Sequence, residues 1–280
     1  MCGRYAASAH PDELVEAYEV EVDATDERSR SVLKSPQDPP AGGPDYNMAP
    51  SKQAPVVLTR APRGEADGIP VRQLRLLTWG LVPSWAKDPS VGARMTNARV
   101  ETVLEKPAFA RAAAARRCLV PISGWYEWQA SPVATTRAGK PRKQPFYITR
   151  SDGAPLALAG LYEFWKDPAA PPQDPLSWIV SYTVLTRAAE PGLDRIHDRQ
   201  PLALEPDTWA DWLDPGLTSP GQVQDLLGAA TDHGPGRFEA WPIGQAVGST
   251  RNNGPQLLEP VPTEELVGVV DPMTGEVIGG

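Results

Sequence analysis

The residue with the most distinctive chemistry in this sequence is Cys2, which directly follows Met1. Removal of Met1, the usual fate of an initiator methionine before a small residue, would leave a chain that begins with cysteine. The amine and the thiol of such a terminus have ordinary pKa values of about 8 and about 8.5, so both are partly nucleophilic near neutrality. An aldehyde can form a Schiff base with the amine, and the thiol can then close a thiazolidine ring. A cysteine at this position also arises by chance.

Three further polar residues are candidates for acid–base and orienting roles. Glu127 lies between Trp125 and Trp128, and an aromatic setting that removes water from a carboxylate raises its pKa and suits it to proton transfer. His197 is one of three histidines and titrates near neutral pH. Asn97 can orient an aldehyde or ribose oxygen through hydrogen bonds. Each has a plainer alternative: a strand-end Glu, a structural His and an Asn in a turn.

The charge distribution suggests a partner that carries phosphates. Net charge is −8, yet residues 86–150 hold 12 Lys and Arg against 4 Asp and Glu. A basic stretch in an acidic chain is a candidate phosphate-binding face, although it also suits a solvated surface. Arginine binds phosphate in bidentate fashion, while Trp and Pro can stack on or wedge between bases. The predicted DNA-binding residues are Arg4, Asn47, Pro50, Trp85, Arg99, Trp128 and Thr186. Asp198 and Arg199 are interpreted as a local ion pair.

Composition limits the class of protein. The 280 residues suffice for one large domain or two small ones, and 32 Pro with 24 Gly predict many loops and short helices. No apolar run is long enough to span a membrane, and the start lacks a signal-peptide pattern. The two cysteines, Cys2 and Cys118, argue against a disulfide framework and against a structural zinc site. Cys118 opens an apolar run and is expected to be buried.

The order of predicted elements favours an α+β fold. Strand-like runs lie at 55–60, 74–81, 118–128, 145–150, 155–165 and 177–186. Short helices are predicted at 11–20, 109–117, 206–213 and 221–230, and a long loop at 22–45. Surface insertions are expected at 61–70, 130–143 and 166–176. Because strands dominate, we expect mixed or antiparallel sheets that form a distorted barrel-like core with short peripheral helices.

Six stretches in order resemble the SOS response-associated peptidase family, also called the SRAP domain. Each stretch is weak evidence alone, but the six occur in order with Cys at position two, and the resemblance covers roughly residues 2–260. The stretches are Cys2-Gly3-Arg4, Tyr46-Asn47-Met48-Ala49-Pro50, Trp79-Gly80-Leu81-Val82-Pro83-Ser84-Trp85, Thr96-Asn97-Ala98-Arg99-Val100-Glu101-Thr102, Gly124-Trp125-Tyr126-Glu127-Trp128 and Ile196-His197-Asp198-Arg199-Gln200-Pro201. We therefore expect one domain over 2–262 and a flexible C-terminal extension over 263–280.

The resemblance implies a specific activity. Similar proteins bind abasic sites in single-stranded DNA, including junctions with duplex, and become covalently attached. By this resemblance the Cys2 amine attacks C1′ of the sugar, Glu127 and His197 assist proton transfer, Asn97 positions the reactants, and the thiol closes a thiazolidine. The family name also implies a peptidase that removes Met1 or a leader. We expect no cofactor and no metal, and a cytoplasmic monomer that associates with the nucleoid when bound to DNA.

Two other functions stay open at the level of sequence. The first is a cysteine-dependent peptidase or amidase with Cys2 as nucleophile and His197 as base, although no oxyanion-hole motif is evident. The second is a non-catalytic reader of single-stranded DNA in which Cys2 has no chemical role.

Overall fold

The computed structural model describes residues 2–279 except 28, 63–67, 172, 175 and 233. Strands in this part of the chain are β1 (Tyr5–Ala7), β2 (Val22–Asp23), β3 (Asp45–Met48), β4 (Gln53–Arg60), β5 (Val71–Trp79), β6 (Asn97–Arg99), β7 (Arg117–Ile122), β8 (Gly124–Thr135), β9 (Pro141–Arg150), β10 (Leu156–Lys166), β11 (Trp178–Ala188), β12 (Arg199–Pro201), β13 (Ala203–Leu204), β14 (Phe238–Pro242), β15 (Val269–Val270) and β16 (Val277–Ile278). The α-helices are α1 (Pro11–Ala17), α2 (Ala110–Ala115), α3 (Trp209–Leu213) and α4 (Pro220–Thr231). Short 3-10 turns are Pro89–Arg94, Leu193–Arg195, Pro206–Thr208, Gln245–Gly248, Pro255–Leu258 and Thr263–Glu265.

Five of the strands close into a barrel. Their order is β5-β4-β7-β10-β11 with antiparallel neighbours, and β11 returns to pair in parallel with β5. Closure gives the strands at both ends of the sheet a hydrogen-bonding partner, which removes exposed edges. The remaining strands of this sheet, β2, β6, β12 and β13, add to its margins. The expected α+β fold with a distorted barrel is confirmed.

The barrel wall is apolar on both faces because two hydrophobic clusters cover it. Every residue of β7 is buried. Cys118 and Val120 point into the cluster that contains Cys2, while Leu119 packs with the cluster beneath the helices. Alternate side chains of a strand point to opposite faces, so both faces need an apolar cover. Cys118 is fully buried, as its apolar run predicted.

A second, five-stranded sheet carries the start of the chain. Its order is β14-β9-β8-β1-β3, so β1 lies between β8 and β3. The single strand predicted over 118–128 is instead two strands, because the chain leaves the barrel at Ser123 and enters this sheet. A side chain at Gly124 would approach Ile148 O to 2.5 Å, so only glycine fits at the crossing. The predicted insertion at 130–143 proves to be the outer part of the β8–β9 hairpin.

The segment that carries β6 leaves the barrel after β5 and returns to it. Gly80 has φ +121, and a Cβ there would lie 2.5 Å from Gly92 O. The absence of both side chains lets the outgoing and returning chains touch, and β6 then pairs in parallel with β11. This return places Asn97 opposite Val184 of the barrel.

Several short strands, among them β1, β3, β6 and β12, were not predicted from the sequence, and the elements that were predicted differ mainly at their ends. The helices α1, α2, α3 and α4 fall within or near the four predicted ranges. Most of the 22–45 loop is irregular, although β2 begins it and β3 starts at its last residue. Residues 63–67 of the predicted insertion at 61–70, and residues 172 and 175 of the insertion at 166–176, lie outside the described residues. Met1, whose removal we expect, also lies outside them.

The C-terminal residues predicted as a flexible extension pack against the rest of the domain. β15 and β16 form a hairpin, and Leu266 and Val269 are buried in the same cluster as Cys2. Apolar side chains at these two positions provide the contact that docks the segment.

Candidate active site

Strand pairing brings Cys2 beside Glu127. β1 and β8 are antiparallel with Tyr5 opposite Trp125, and this register, continued toward the chain start, places Gly3, the neighbour of Cys2, opposite Glu127. The pKa of the Cys2 thiol is raised first by burial and further by the charge of Glu127, in agreement with this proximity. Two residues separated by 125 positions in the sequence therefore form one site.

Cys2 is fully buried at the edge of the barrel core. Its main-chain carbonyl accepts a hydrogen bond of 2.8 Å from Asn97 Nδ2. Its Sγ lies 4.0 Å from Arg4 O, within the range of a weak thiol hydrogen bond. Because burial raises the pKa of the thiol, Cys2 holds a protonated sulfur near neutral pH.

Glu127 is a buried carboxyl with a pKa near neutrality. Only 4% of the residue is exposed, and burial raises its pKa from 4.5 to about 7. Along β8 it shares a face with Trp125, whereas Trp128 points to the opposite face and packs with Tyr126 and Tyr147. Of the two tryptophans that the sequence analysis placed beside Glu127, only Trp125 therefore shares its face of the strand. A carboxyl of this kind can both donate and accept a proton near pH 7.

His197 is half-buried at the end of the Leu193–Arg195 turn, just before β12. Its Nδ1 accepts a hydrogen bond of 3.0 Å from the main-chain N–H of Arg199, which places the proton of the neutral ring on Nε2. Asp198 Oδ1 lies 2.8 Å from the same Nδ1 and becomes its acceptor when the ring is protonated. Burial lowers the pKa of His197, and the charge of Asp198 opposes that shift. The neutral ring is therefore favoured near pH 7.

A lysine that sequence analysis did not single out contributes charge to this site. Lys143 lies on β9, the partner of β8. Burial is the main influence on both pKa values: it raises that of Glu127 and lowers that of His197. The positive charge of Lys143 lowers both pKa values. The residue lacked any local signal because only the β8–β9 pairing brings it here.

Asn97 joins the barrel to the start of the chain. β6 pairs with β11 on one side, and Asn97 Nδ2 reaches Cys2 O on the other. The same nitrogen lies 3.3 Å from Thr96 Oγ1. Asn97 Oδ1 is buried and has no hydrogen-bond partner among the described residues. A buried acceptor in this position can bind a donor brought by a ligand.

Two of the predicted DNA-binding side chains are exposed. Arg99 lies on β6 two residues after Asn97, and Trp85 is 62% exposed. Pro50, Arg4 and Trp128 are half-buried. The side chains of Arg99 and Trp85 are therefore accessible to a ligand.

Asn47 is fully buried and connects β3 to the loop before residue 253. Its Nδ2 donates to three main-chain carbonyls, and its Oδ1 accepts a bond of 2.7 Å from Arg4 Nη1. Arg4 Nη1 also donates to Val247 O at 3.0 Å. In this structure Asn47 therefore orients Arg4.

Thr186 is also buried, and its oxygens are occupied. Its hydroxyl lies 3.5 Å from Ala98 O, and its carbonyl accepts a bond of 2.6 Å from Arg199 Nη2. The Asp198–Arg199 ion pair inferred from the sequence is wrong. Arg199 instead makes a bidentate pair with Glu101, at 2.6 and 2.9 Å. The guanidinium reaches across to the β6 segment because β12 and β6 flank the same strand, β11.

Only some of the basic side chains in segment 86–150 lie on the surface. Arg116 pairs with Glu163, Arg150 pairs with Asp152 and Glu205, and buried Arg117 donates to main-chain carbonyls. Several of its other basic side chains are exposed: Lys87, Arg94, Arg99, Lys106, Arg111, Arg137, Lys140 and Lys143. The excess positive charge on the surface is thus smaller than the residue count suggests.

The described part of the chain contains neither a metal-ligand cluster nor a membrane-spanning helix. No group of three or more His, Cys, Asp or Glu among these residues is arranged to hold a metal ion. None of the helices in the described ranges is both long and apolar enough to cross a membrane.

The fold and the site together define a class: an α+β barrel protein centred on a buried cysteine near the chain start, with a carboxyl of raised pKa, an imidazole and an amide around it. The SOS response associated peptidase (SRAP) model matches residues 1–250. The chain therefore belongs to the SRAP family.

Relatives and solved structures agree with this assignment. The chain is 32% identical over 261 residues to abasic site processing protein YoqW of Bacillus subtilis, covering 92% of this chain and 99% of the relative. It is 30% identical over 290 residues to abasic site processing protein HMCES of Pongo abelii, covering 93% and 76%.

Two crystal structures share the fold. A protein from Bacteroides thetaiotaomicron superposes with a TM-score of 0.65 at 21% identity, covering 93% of this chain and all 100% of that one. A phage-related protein from Bordetella bronchiseptica gives 0.57 at 28% identity, covering 88% and 95%.

Proposed function

We propose that this protein binds abasic sites in single-stranded DNA and attaches to them covalently through Cys2 after removal of Met1. The observation that carries the proposal is the convergence of three distant residues: Asn97 holds the carbonyl of Cys2 at 2.8 Å, and Glu127 lies beside Cys2 with a pKa of about 7. The names of the relatives supply the substrate, because YoqW and HMCES are called abasic site processing proteins.

The proposed reaction loses one water and involves no redox change. The open-chain form of an abasic sugar carries an aldehyde at C1′, which the freed amine of Cys2 attacks to give a carbinolamine. Protonated Glu127 donates a proton to the departing hydroxyl, and water leaves as the Schiff base forms. The Cys2 sulfur then adds to the imine carbon while the thiol proton passes to the nitrogen. The new C–S bond closes the thiazolidine.

The surrounding residues have separate roles in this proposal. Asn97 fixes the main chain of Cys2 so that amine and thiol approach the same carbon. Neutral His197, with its proton on Nε2, transfers protons between the sugar hydroxyls and Glu127. Arg99 and Trp85 are exposed and bind the DNA through a phosphate contact and a stacked base.

The ionisation of Cys2 favours this chemistry over a cysteine-dependent peptidase. A peptidase nucleophile needs a thiolate, and a lowered pKa normally supplies it. Burial raises the pKa of the Cys2 thiol instead, so a thiolate is disfavoured before substrate binds. Amine attack followed by ring closure needs no preformed thiolate.

A denaturing gel tests the proposal. Purified protein is mixed with single-stranded DNA that contains one abasic site, and a slowly migrating band that survives denaturation is expected. Cys2→Ala should abolish the stable band. Cys2→Ser keeps the amine but lacks the thiol, so its product should be trapped only when borohydride reduces the Schiff base. Intact mass of the purified protein reports whether the chain begins at Cys2.

The other outcomes assign the alternatives. Tight DNA binding with no covalent band in the wild type indicates a non-catalytic reader. Turnover of peptide substrates without a DNA product indicates a peptidase. An intact mass that retains Met1 in a protein that still cross-links rules out the Cys2 amine as nucleophile.

A further inference from the structure

A segment near the C-terminus touches both acid–base residues of the site through intermediaries. Residues 266–273 lie beyond the residues 1–250 that the family model matches. Leu266 and Val269 are 5% and 2% exposed and belong to the apolar cluster that also contains Cys2 and Trp125. The segment therefore forms part of the wall around the site.

Gln129 connects this segment to the strand of Glu127. It lies two residues after Glu127 on the same face of β8 and is 2% exposed. Its Nε2 donates to Val270 O at 2.8 Å, and its Oε1 accepts from Val270 N at 2.7 Å. The same Nε2 donates to Arg195 O at 3.1 Å, in the turn that leads to His197. One buried amide thus joins three separate parts of the chain.

Arg195 provides the second connection. Its Nη1 donates to Pro272 O at 2.5 Å and to Met273 O at 3.1 Å. Arg195 ends the short 3-10 turn Leu193–Arg195 that leads to His197. The main-chain N–H of His197 donates a hydrogen bond of 3.0 Å to Leu193 O of this turn. A turn this short has little stability of its own, so its position depends on contacts with other segments.

We propose that Gln129 and Arg195 are positioning residues that, together with residues 266–273, hold the turn of His197 in fixed register with Glu127. Neither residue touches the reacting atoms. The kinetic consequence rests on the function proposed above, whereas the position of the imidazole is a property of the folded protein alone. The charged side chains that act on the pKa of His197 are Asp198 and Lys143, and the same two side chains also act on the pKa of Glu127.

The test uses the full chain with Arg195→Ala and Gln129→Ala. Nuclear magnetic resonance follows the ring protons of His197, assigned by their loss in His197→Gln. Burial now lowers the pKa of His197, and we expect both variants to move it back toward the ordinary value of about 6.5 as the ring gains solvent. The single-turnover rate of cross-linking should fall about 10-fold or more, with DNA affinity unchanged within about 2-fold. Arg195→Lys should restore part of both readouts.

Matched controls separate positioning from loss of stability. Arg30→Ala removes an ion pair outside the site, in which Arg30 Nη1 lies 2.6 Å from Asp167 Oδ2. Gln73→Ala removes a buried amide of β5 that donates to Arg60 O of β4 at 2.8 Å. These variants should lower the melting temperature without moving the His197 titration.

The outcomes are distinguishable. If the titration of His197 is unchanged in both Arg195→Ala and Gln129→Ala, or moves equally in the controls, the positioning proposal is wrong. If wild type never cross-links, the proposed function fails, and the His197 titration still decides whether the C-terminal segment holds the turn.

Discussion

Asn97 and Cys2 lie 95 positions apart in the sequence, yet the Asn97 amide donates a hydrogen bond of 2.8 Å to the carbonyl oxygen of Cys2. The bond exists because β6 pairs with β11 of the barrel while Cys2 leads into β1 of the other sheet. It therefore fixes the start of the chain to the barrel at the point where the proposed chemistry occurs.

Asn97→Ala should slow cross-linking more than it weakens binding. Loss of the bond frees the main chain of Cys2, and misplacement by about 1 Å can cost about 100-fold in rate. Single-turnover cross-linking measures the rate, and fluorescence anisotropy measures affinity for the same DNA. An unchanged rate would show that other contacts suffice to orient Cys2.

Glu127→Gln should stabilise the protein at alkaline pH relative to wild type. The folded pKa is raised from 4.5 to about 7, so the folded state keeps a proton that the unfolded chain releases between those values. The contribution of this proton to stability is fully present below about pH 4.5 and is lost as pH rises through about 7. The neutral amide cannot ionise, so the variant does not lose this contribution as pH rises. From pH 4 to pH 8, the difference in unfolding free energy between variant and wild type should therefore shift by up to about 3 kcal/mol in favour of the variant. Urea unfolding at the two pH values measures the difference, and parallel curves for the two proteins would contradict it.

Asp198→Asn should lower the pKa of His197 further. The charge of Asp198, 2.8 Å from Nδ1, stabilises the protonated ring and opposes the effect of burial. Removing that charge leaves burial as the dominant influence. The sequence has three histidines, so a proton-detected titration resolves the change directly. A rise in the pKa would mean that Asp198 does not act on the ring in solution.

Arg99→Ala should reduce the salt dependence of DNA binding. An exposed guanidinium that neutralises one phosphate contributes about 0.7 to the slope of log affinity against log salt for a single strand. Binding measured at several salt concentrations gives this slope for wild type and variant. Arg30→Ala, whose side chain pairs with Asp167, is the control and should leave the slope as it is.

Trp85→Ala should weaken DNA binding and leave folding nearly intact. The side chain is 62% exposed, and a base stacked on such a ring contributes about 1–3 kcal/mol. Trp79→Ala provides the contrast, because Trp79 is fully buried and its Nε1 donates to Thr96 O at 3.0 Å. That substitution should cost about 3–5 kcal/mol of unfolding free energy. Equal losses of stability in the two variants would place Trp85 in the core.

Much of the fold follows from local patterns. Alternating or continuous apolar runs identified the barrel strands, since a strand buried on one or both faces must carry such side chains. The same logic identified Cys118 as a buried residue, and 0% of it is exposed. The raised pKa of Glu127 was also foreseeable, because Trp125 shares its face of β8 and tryptophan excludes water.

Local patterns do not show whether a polar side chain is buried and hydrogen-bonded within the fold. Asn47 and Thr186 have the residue types of a DNA contact, yet both are buried with their oxygens bonded. Arg117, from the basic segment, caps carbonyls of the main chain. Such outcomes depend on which distant segment covers the residue, and no local pattern contains that information.

By itself, the sequence determined the strands of the barrel, its apolar core and the chemical types that meet at the site: a thiol, a carboxyl, an imidazole and an amide. Only the tertiary structure decided that Asn97 holds Cys2, that Lys143 lies near Glu127, and that Gln129 and Arg195 tie the His197 turn to residues 266–273. The reason is that apolar periodicity depends on neighbours along the chain, whereas hydrogen bonds and charge contacts depend on strand register between segments far apart in sequence.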